Sequence, residues 1–434
     1  MGVQLIPCSE KNPIETDAAK LMKTADPELM RAINRFHVMD AIRRFGPVSR
    51  VEICEFSQLS ATTVSAITAA LLDDKLIIPL QIGALRDVGR GRPRVMLKLN
   101  PDAAFVVGVK LAADQITIAT TDFCAAVLRS LSLPIRIDRQ SVPVIADLVE
   151  DGVRRCVSDA NLKMPDIAGV CVGLPGVIEH AAGICRQSPI FSERDVNFGA
   201  ELTRRLGVPV SIDNDANLVT LAEHWFGQAR DINDFLVVSV EQSLGLGILH
   251  NGELFRGANG LSPDFGDVMV RPPGSGGGRL AAVASEESVL SEAESCLRGT
   301  EHESVFRTER AMATVLQLAA AGDPRCTAIL AAAGEALGFA IANLITLFAP
   351  PKVIISGRAM ATSEYFVGPL RAAIAALLPP SLTDISDIVV CELSDSIWVR
   401  GAAAMTLRDL YGAPWGTTGP APHRDLWGSL DGDR

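Results

Sequence analysis

No Cys-x-x-Cys pair occurs anywhere in the 434 residues, although the chain has nine cysteines. Such a scattered, odd-numbered set excludes a zinc ribbon and a disulfide framework, and predicts reduced, mostly buried thiols in a cytoplasm. Long apolar runs are missing too. The stretches 235–240 and 388–391 fall far short of a membrane span and read as short buried strands. The N-terminus lacks a signal-peptide pattern, and Ile6 stands where a lipidation motif after Met1-Gly2 needs Ser or Thr. The expectation is a cytoplasmic protein with no membrane partner.

What is present fits a soluble globular chain, with 48% hydrophobic and 21% charged residues. Its length suggests roughly two to three domains. The net charge of −11 is unevenly spread. Between residues 31 and 94 ten Lys/Arg face six Asp/Glu, so a locally basic module sits on a strongly acidic remainder. One end of the molecule is therefore expected to face a polyanion.

Residues 1–27 are polar and without period, and are expected to form a flexible arm. Three helical patterns follow. The first covers 27–45 and is stopped by Gly46-Pro47. The second opens at Ser49 with Glu52 as its capping-box partner. The third is capped by Ser60 and reaches about residue 74. Strand-like pieces at 76–82 and 95–99 flank a Gly/Arg-rich turn, which completes a winged helix-turn-helix over 28–100. From 101 to 411 strand and helix signals alternate twice, predicting a two-lobed α/β body. Asn251-Gly252 marks a hairpin. The Gly- and Pro-rich segment 412–434 is expected to be disordered.

Helix-turn-helix proteins insert the start of their second motif helix into the major groove of double-stranded DNA. Here that helix presents Ser60, Thr62, Thr63 and Ser65, while Val64, Ile67 and Leu71 supply its buried face. It carries no Arg or Lys before Lys75, which argues against bidentate guanine readout. Arg90 and Arg92 in Gly89-Arg-Gly-Arg-Pro-Arg94 are suited to a narrow minor groove. Alone, a Ser/Thr-rich helix reads as a capped surface helix and a Gly-Arg turn as a linker. Three correctly spaced helices before the turn favour an operator-binding module.

In the body, Ala168-Gly-Val-Cys-Val-Gly-Leu-Pro-Gly176 precedes Ser211-Ile-Asp-Asn-Asp-Ala-Asn217 and Leu221-Ala-Glu-His-Trp-Phe-Gly227. Gly245-Leu-Gly247, Asn251-Gly252 and Arg256-Gly-Ala-Asn-Gly260 follow. In order and spacing this series closely resembles the ROK family of repressors, open reading frames and kinases, over roughly residues 30–411. The resemblance implies an actin/hexokinase-like fold with a sugar held between two lobes by Gly176, Asn214, Asp215, Asp264 and Asp267. In kinase members the aspartate matching Asp215 is the general base. A carboxylate at a strand end can take a hydroxyl proton or only accept a hydrogen bond, and Asp213, Asn214 and Asp215 can equally cap the helix that follows.

The departures from the kinase pattern matter more. Where kinases carry Asp-x-Gly-x-Thr, this chain reads Lys110-Leu-Ala-Ala-Asp114. Alanine blocks the close backbone approach that glycine allows, and Asp114 repels a triphosphate. Glu241-Gln-Ser-Leu-Gly-Leu-Gly247 adds an acid to the second phosphate region, and Ile355-Ser-Gly-Arg358 keeps only part of the later Gly-rich turn. Phosphoryl transfer is mostly positioning and charge neutralisation, so the expectation is no enzyme.

The stretch 261–280, Leu-Ser-Pro-Asp-Phe-Gly-Asp-Val-Met-Val-Arg-Pro-Pro-Gly-Ser-Gly-Gly-Gly-Arg-Leu, aligns with the family's Gly-Glu-x-Gly-His segment and zinc loop. Asp264 replaces the sugar-binding Glu and Asp267 the His. No cysteine lies between Pro272 and Glu287, so a Cys/His zinc site has no ligands there. No metal and no cofactor are expected. The expected protein is a regulator, a repressor of carbohydrate metabolism, that acts as a homodimer or tetramer. A sugar effector would close its lobes and alter half-site spacing. The alternatives are a ROK sugar kinase with an added DNA-binding module and a regulator that binds no sugar.

Overall fold

The structure, a computed structural model, describes residues 27–80, 95–135, 139–257, 259–262, 264–270, 278–308, 310–392 and 395–412. The expected arm, Arg90 and Arg92 of the wing, the Gly-rich turn after Arg271 and the chain beyond Gly412 lie outside the described residues.

The head begins with α1 (Pro27–Phe45), β1 (Val48–Ser49), α2 (Arg50–Ser57) and α3 (Ala61–Asp73), and closes with β2 (Ile77–Leu80) and β3 (Met96–Leu99). Local chemistry sets these boundaries. Ser49 N–H donates to Glu52 Oε2 at 2.8 Å and Ser49 Oγ accepts from Glu52 N–H, so the capping box starts α2. Ser60 Oγ accepts from Thr63 N–H at 3.1 Å and starts α3. Strand β3 lies between β1 and β2, antiparallel to both. Arg50 donates to Thr68 at 2.8 Å, a polar tie between α2 and the buried side of α3.

The first lobe contains β4 (Phe105–Leu111), β5 (Gln115–Thr121), β6 (Val127–Pro134), α4 (Val142–Asp159) and β7 (Ile167–Leu174). The hairpin β8 (Val177–Glu179) and β9 (Ile184–Gln187) follows, then α5 (Phe198–Leu206), β10 (Val210–Asn214) and α6 (Asp215–Phe226). The second lobe contains β11 (Phe235–Val240), β12 (Leu244–His250), β13 (Glu253–Leu254), α7 (Ala281–Ala284), α8 (Glu286–Leu297) and α9 (Ala311–Ala320). It ends with α10 (Pro324–Phe348), β14 (Lys352–Gly357), α11 (Glu364–Leu377) and β15 (Asp387–Glu392), after which α12 (Asp395–Leu410) returns to the first lobe.

The two sheets share one topology. Strand orders β6-β5-β4-β7-β10 and β13-β12-β11-β14-β15 each place three antiparallel strands beside two parallel ones. That is the duplicated sheet of a two-lobed actin/hexokinase-like body. Asn251 and Gly252 both have positive φ, as their hairpin requires.

Several boundaries differ from the sequence reading. The sequence pattern predicts a strand over 126–130, and β6 runs four residues further, because its exposed face carries Arg129, Ser130 and Ser132 and dilutes the apolar signal. The strand expected at 208–212 is β10 and continues through Asp213 and Asn214, and the last helix, expected near 401–411, starts six residues earlier as α12, with Trp398 buried in it. The short strands β8, β9 and β13 carry too few residues to show a period. Apolar length was also underestimated. The 25-residue α10 is long and apolar enough to cross a membrane by composition, with half of its most apolar window buried. Gly334 and Gly338 lie on that buried side, where a Cβ would collide with the backbone of α11.

Helices α6 and α12 lie between the lobes. A Cβ on Gly401 would run into the carbonyl of Leu218, so the two helices cross with their backbones nearly touching. One continuous core joins head and body, from Met39, Ile42, Val64 and Leu97 through Phe123 and Trp225 to Leu410 and Tyr411. Gly401→Ala is expected to destabilise the chain by about 1–3 kcal/mol through overpacking, although alanine is the better helix former. Chemical denaturation measures it, and an unchanged midpoint would mean the crossing is looser than described.

Candidate ligand cleft and DNA-facing helix

The cleft floor is made where β10 passes into α6. Asn214 caps the helix, its Oδ1 accepting from Ala216 N–H at 2.9 Å while its Nδ2 donates to Gly176 O at 2.8 Å. Gly176 has φ +115°, and a Cβ there would collide with the Gln187 carbonyl, so only glycine fits. Two of the expected ligand residues, Gly176 and Asn214, are thus held together, with Asp215 next in the chain.

Asp213 is fully buried and does not face the cleft. Its Oδ1 accepts from Asn217 Nδ2 at 2.8 Å, and its Oδ2 faces Arg256 at 2.5 Å and His180 at 3.3 Å. Burial alone would raise its pKa, but Arg256 and His180 outweigh it and hold the carboxylate ionised. Asn217 Nδ2 also donates to Ser262 Oγ at 2.9 Å. The 261–267 stretch is thereby stitched to α6, and Ser262 N–H donates to Ile178 O at 3.3 Å.

The fates of the two changed acids differ. Asp264 follows Ser262 by two residues, is exposed, and has its pKa raised by partial burial and by Asp267. Asp267 forms an exposed ion pair with Arg279, beside the Met269–Arg279 bridge. Arg279 thus takes the charge of Asp267.

Asp215 sits at the mouth of α6, partly open to the cleft. Desolvation and the nearby Glu241 carboxylate push its pKa up to about 7, against the pull of Lys110. Lys110 Nζ meets Glu241 Oε2 at 2.7 Å, with side-chain exposures of 8% and 15%, and lies 4.3 Å from the Trp398 ring centroid. The end of β4 is in the first lobe and the β11–β12 turn in the second, so this is a salt bridge across the cleft. A second, more exposed pair, Arg358 with Asp114 at 3.6 Å, spans the same divide. Three substituted phosphate motifs have become two inter-lobe ion pairs.

Gly245 and Gly247 have a different role from the one their motif suggests. A Cβ on Gly245 would lie 2.7 Å from Ala216 Cβ, and one on Gly247 would overlap Thr220, so both glycines let β12 pack against α6. Sequence reasoning found Lys110 and Glu241 as departures but missed their pairing. Opposite charges at two changed positions were the only signal, and it is mute until the fold brings the loops together.

On α3, Ser60, Thr62 and Ser65 are exposed, whereas Thr63 is half-buried and shares its hydroxyl with Ser60 at 2.8 Å. Ser60 and Thr63 therefore act first as a cap. Thr62 and Ser65, with Ala61, Ala66 and Ala69, form the open face of this helix.

Fold and site together define a class: a two-lobed, sugar-kinase-like body carrying a winged helix-turn-helix. The chain belongs to the ROK family, whose pattern matches residues 106–409. It is 28% identical over 398 residues to a xylose repressor of Caldicellulosiruptor bescii, covering 89% of this chain and 98% of that protein. A crystal structure described as a ROK family transcriptional regulator, homologous to the Escherichia coli Mlc protein, has the same fold with a TM-score of 0.74. It is 24% identical and covers 88% of this chain and 97% of its own. A ROK glucokinase from Streptomyces griseus, solved with glucose and AMPPNP, has a TM-score of 0.59 at 20% identity, over 69% of this chain and 98% of its own.

Two measurements check the cleft. Between about pH 4 and pH 7 the folded chain keeps a proton on Asp215 that the unfolded chain has released, so this residue costs stability as pH rises. Asp215→Asn is expected to match the wild-type Tm near pH 4 and exceed it near pH 8. Equal Tm values at both would contradict the raised pKa. Lys110→Glu is expected to lose roughly 1–3 kcal/mol by leaving carboxylates unpaired. Combining it with Glu241→Lys should recover most of that loss, and a strictly additive double variant would show that the pair does not couple.

Proposed function

We propose that this chain is a DNA-binding transcriptional regulator of carbohydrate metabolism, a repressor whose cleft senses a sugar or sugar derivative without phosphorylating it. The observation that carries the reading is the pairing of Lys110 with Glu241 where kinase relatives of this fold handle phosphate. An ATP phosphate tail entering there would have to break that bridge and face Asp114, Glu241 and Glu286 against Lys110 and Arg358, three acids to two cations, so the site does not supply the positive charge that phosphate needs. The repressor relative, matched over nearly its whole length, supports the regulatory part.

In this reading Gly176, Asn214, Asp215 and Asp264 contact sugar hydroxyls, and Asp267 contributes only when Arg279 releases it. Thr62 and Ser65 face the major groove, Ser60 and Thr63 set the start of the helix and reach phosphate, and Arg90 and Arg92 enter the minor groove. The chain acts as a homodimer or tetramer on operator DNA.

One observation favours a kinase instead: a carboxyl with pKa about 7 at the cleft floor is well tuned as a general base. The two readings separate experimentally. Incubation with ATP and D-glucose, D-xylose or N-acetylglucosamine is expected to yield no ADP above background. A thermal-shift series with the same sugars is expected to show stabilisation by one class. Turnover abolished by Asp215→Asn would establish the kinase, and no shift with any sugar would favour a regulator that binds none. Arg90→Ala with Arg92→Ala is expected to weaken binding to genomic operator fragments and flatten its salt dependence, and unchanged affinity would refute the minor-groove role.

A further inference from the structure

Helix α6 has one end in the cleft and the other against the DNA-binding head. Twelve residues at about 1.5 Å each give it roughly 18 Å of reach. Ala216 to Trp225 are all buried, so the helix has no solvent face to relax into. On its flanks Gly245 and Gly247 of the second lobe and Gly401 of α12 bring backbone or Cβ atoms into direct contact. At these three glycines no long side chain separates α6 from β12 or α12, and close-packed contacts transmit displacement.

The far end is equally specific. Arg43 of α1 stacks 4.2 Å from the Trp225 ring and its Nη1 lies 3.5 Å from the Trp225 carbonyl. Arg44 donates to His224 Nε2 at 3.3 Å, and Arg230 donates to the Arg44 carbonyl at 2.7 Å. Burial, together with Arg44 and Arg43, drives the His224 pKa down to about 3, so the ring is a neutral acceptor in this joint. Asp40 holds both arginines, at 2.6 Å and 2.8 Å. Trp225 also stacks on Tyr411, centroids 5.5 Å apart, and Tyr411 donates to Phe123 O at 2.7 Å. Head and helix are locked by directional contacts, not tethered by a linker.

We infer that α6 is a rigid coupling rod that carries a change at the Asn214–Asp215 end to the end of α1, with Trp225 and Arg43 as the joint. The rod rests on the reading of the cleft as the effector site. A shift of the second lobe drags β12, β12 bears on α6 through Gly245 and Gly247, and α6 turns α1, which packs on the DNA-facing helix. Trp225 and Arg43 are positioning residues here and touch neither ligand nor DNA.

Hydrogen exchange of the full chain tests it, with D-xylose, D-glucose and N-acetylglucosamine as probes and Asp215→Asn as a ligand-free disturbance of the cleft end. Asp215→Asn is expected to change exchange severalfold at residues 38–46, as is any sugar that alters exchange at 174–179 or 261–267. Trp225→Leu should erase the response at 38–46 while leaving the one in the cleft, and Trp225→Phe should retain it. A purely structural Trp225 would raise exchange around α6 in every state and leave the difference intact. Unchanged exchange at 38–46 in Asp215→Asn, or a response that survives Trp225→Leu, overturns the rod. If no sugar alters the cleft, the sugar-sensing reading fails, while the Asp215→Asn comparison still decides the rod.

Discussion

The buried carboxylate of Asp213 is the constraint on which the rest of the site depends. An ionised group with no solvent access survives only when fully compensated, and Asp213 recruits Arg256, His180 and Asn217 to do so. Those partners come from the β12–β13 side, from the β8–β9 hairpin and from α6. Through Asn217 the network reaches Ser262 and hence the 261–267 stretch. One charge thereby helps fix the mutual placement of β10, α6, the β8–β9 hairpin and the 261–262 segment, and leaves Asp215 partly exposed at the start of α6.

The cleft is crossed by charge of the chain's own making. Lys110 and Glu241 lie close enough, and dry enough, for their attraction to exceed that of an exposed pair, while Arg358 and Asp114 add less because water screens them. The same electrostatics set Asp215. Burial raises its proton affinity most, Glu241 adds to that and Lys110 opposes it.

Much of the fold was legible in order. The three head helices, the capping box at Ser49 and Glu52, and the Asn251-Gly252 hairpin follow from side chains that satisfy their own neighbouring backbone, so short stretches suffice to read them. Boundaries slipped where exposed polar residues diluted a strand, as in β6, or where burial came from distant partners, as for Trp398 in α12. Within the site, Gly176, Asn214 and Asp215 were expected together and are contiguous. The sequence showed Gly245 and Gly247 only as part of a phosphate region and not their packing on α6, because a glycine kept for helix packing looks identical in sequence to one kept for an anion.

The sequence by itself determined the family, the duplicated sheets and the head, since each is a matter of which residue types occur in which order. Only the tertiary structure decided what the substitutions do. Lys110 and Glu241 are 131 positions apart, and Asp40, Arg43 and Arg44 lie some 180 from Trp225 and His224. A charge or an aromatic ring has no meaning alone. Its energy depends on the distance and burial of a partner that folding supplies, and those two quantities turned apparent defects in a kinase pattern, Lys110 and Glu241, into a bridge.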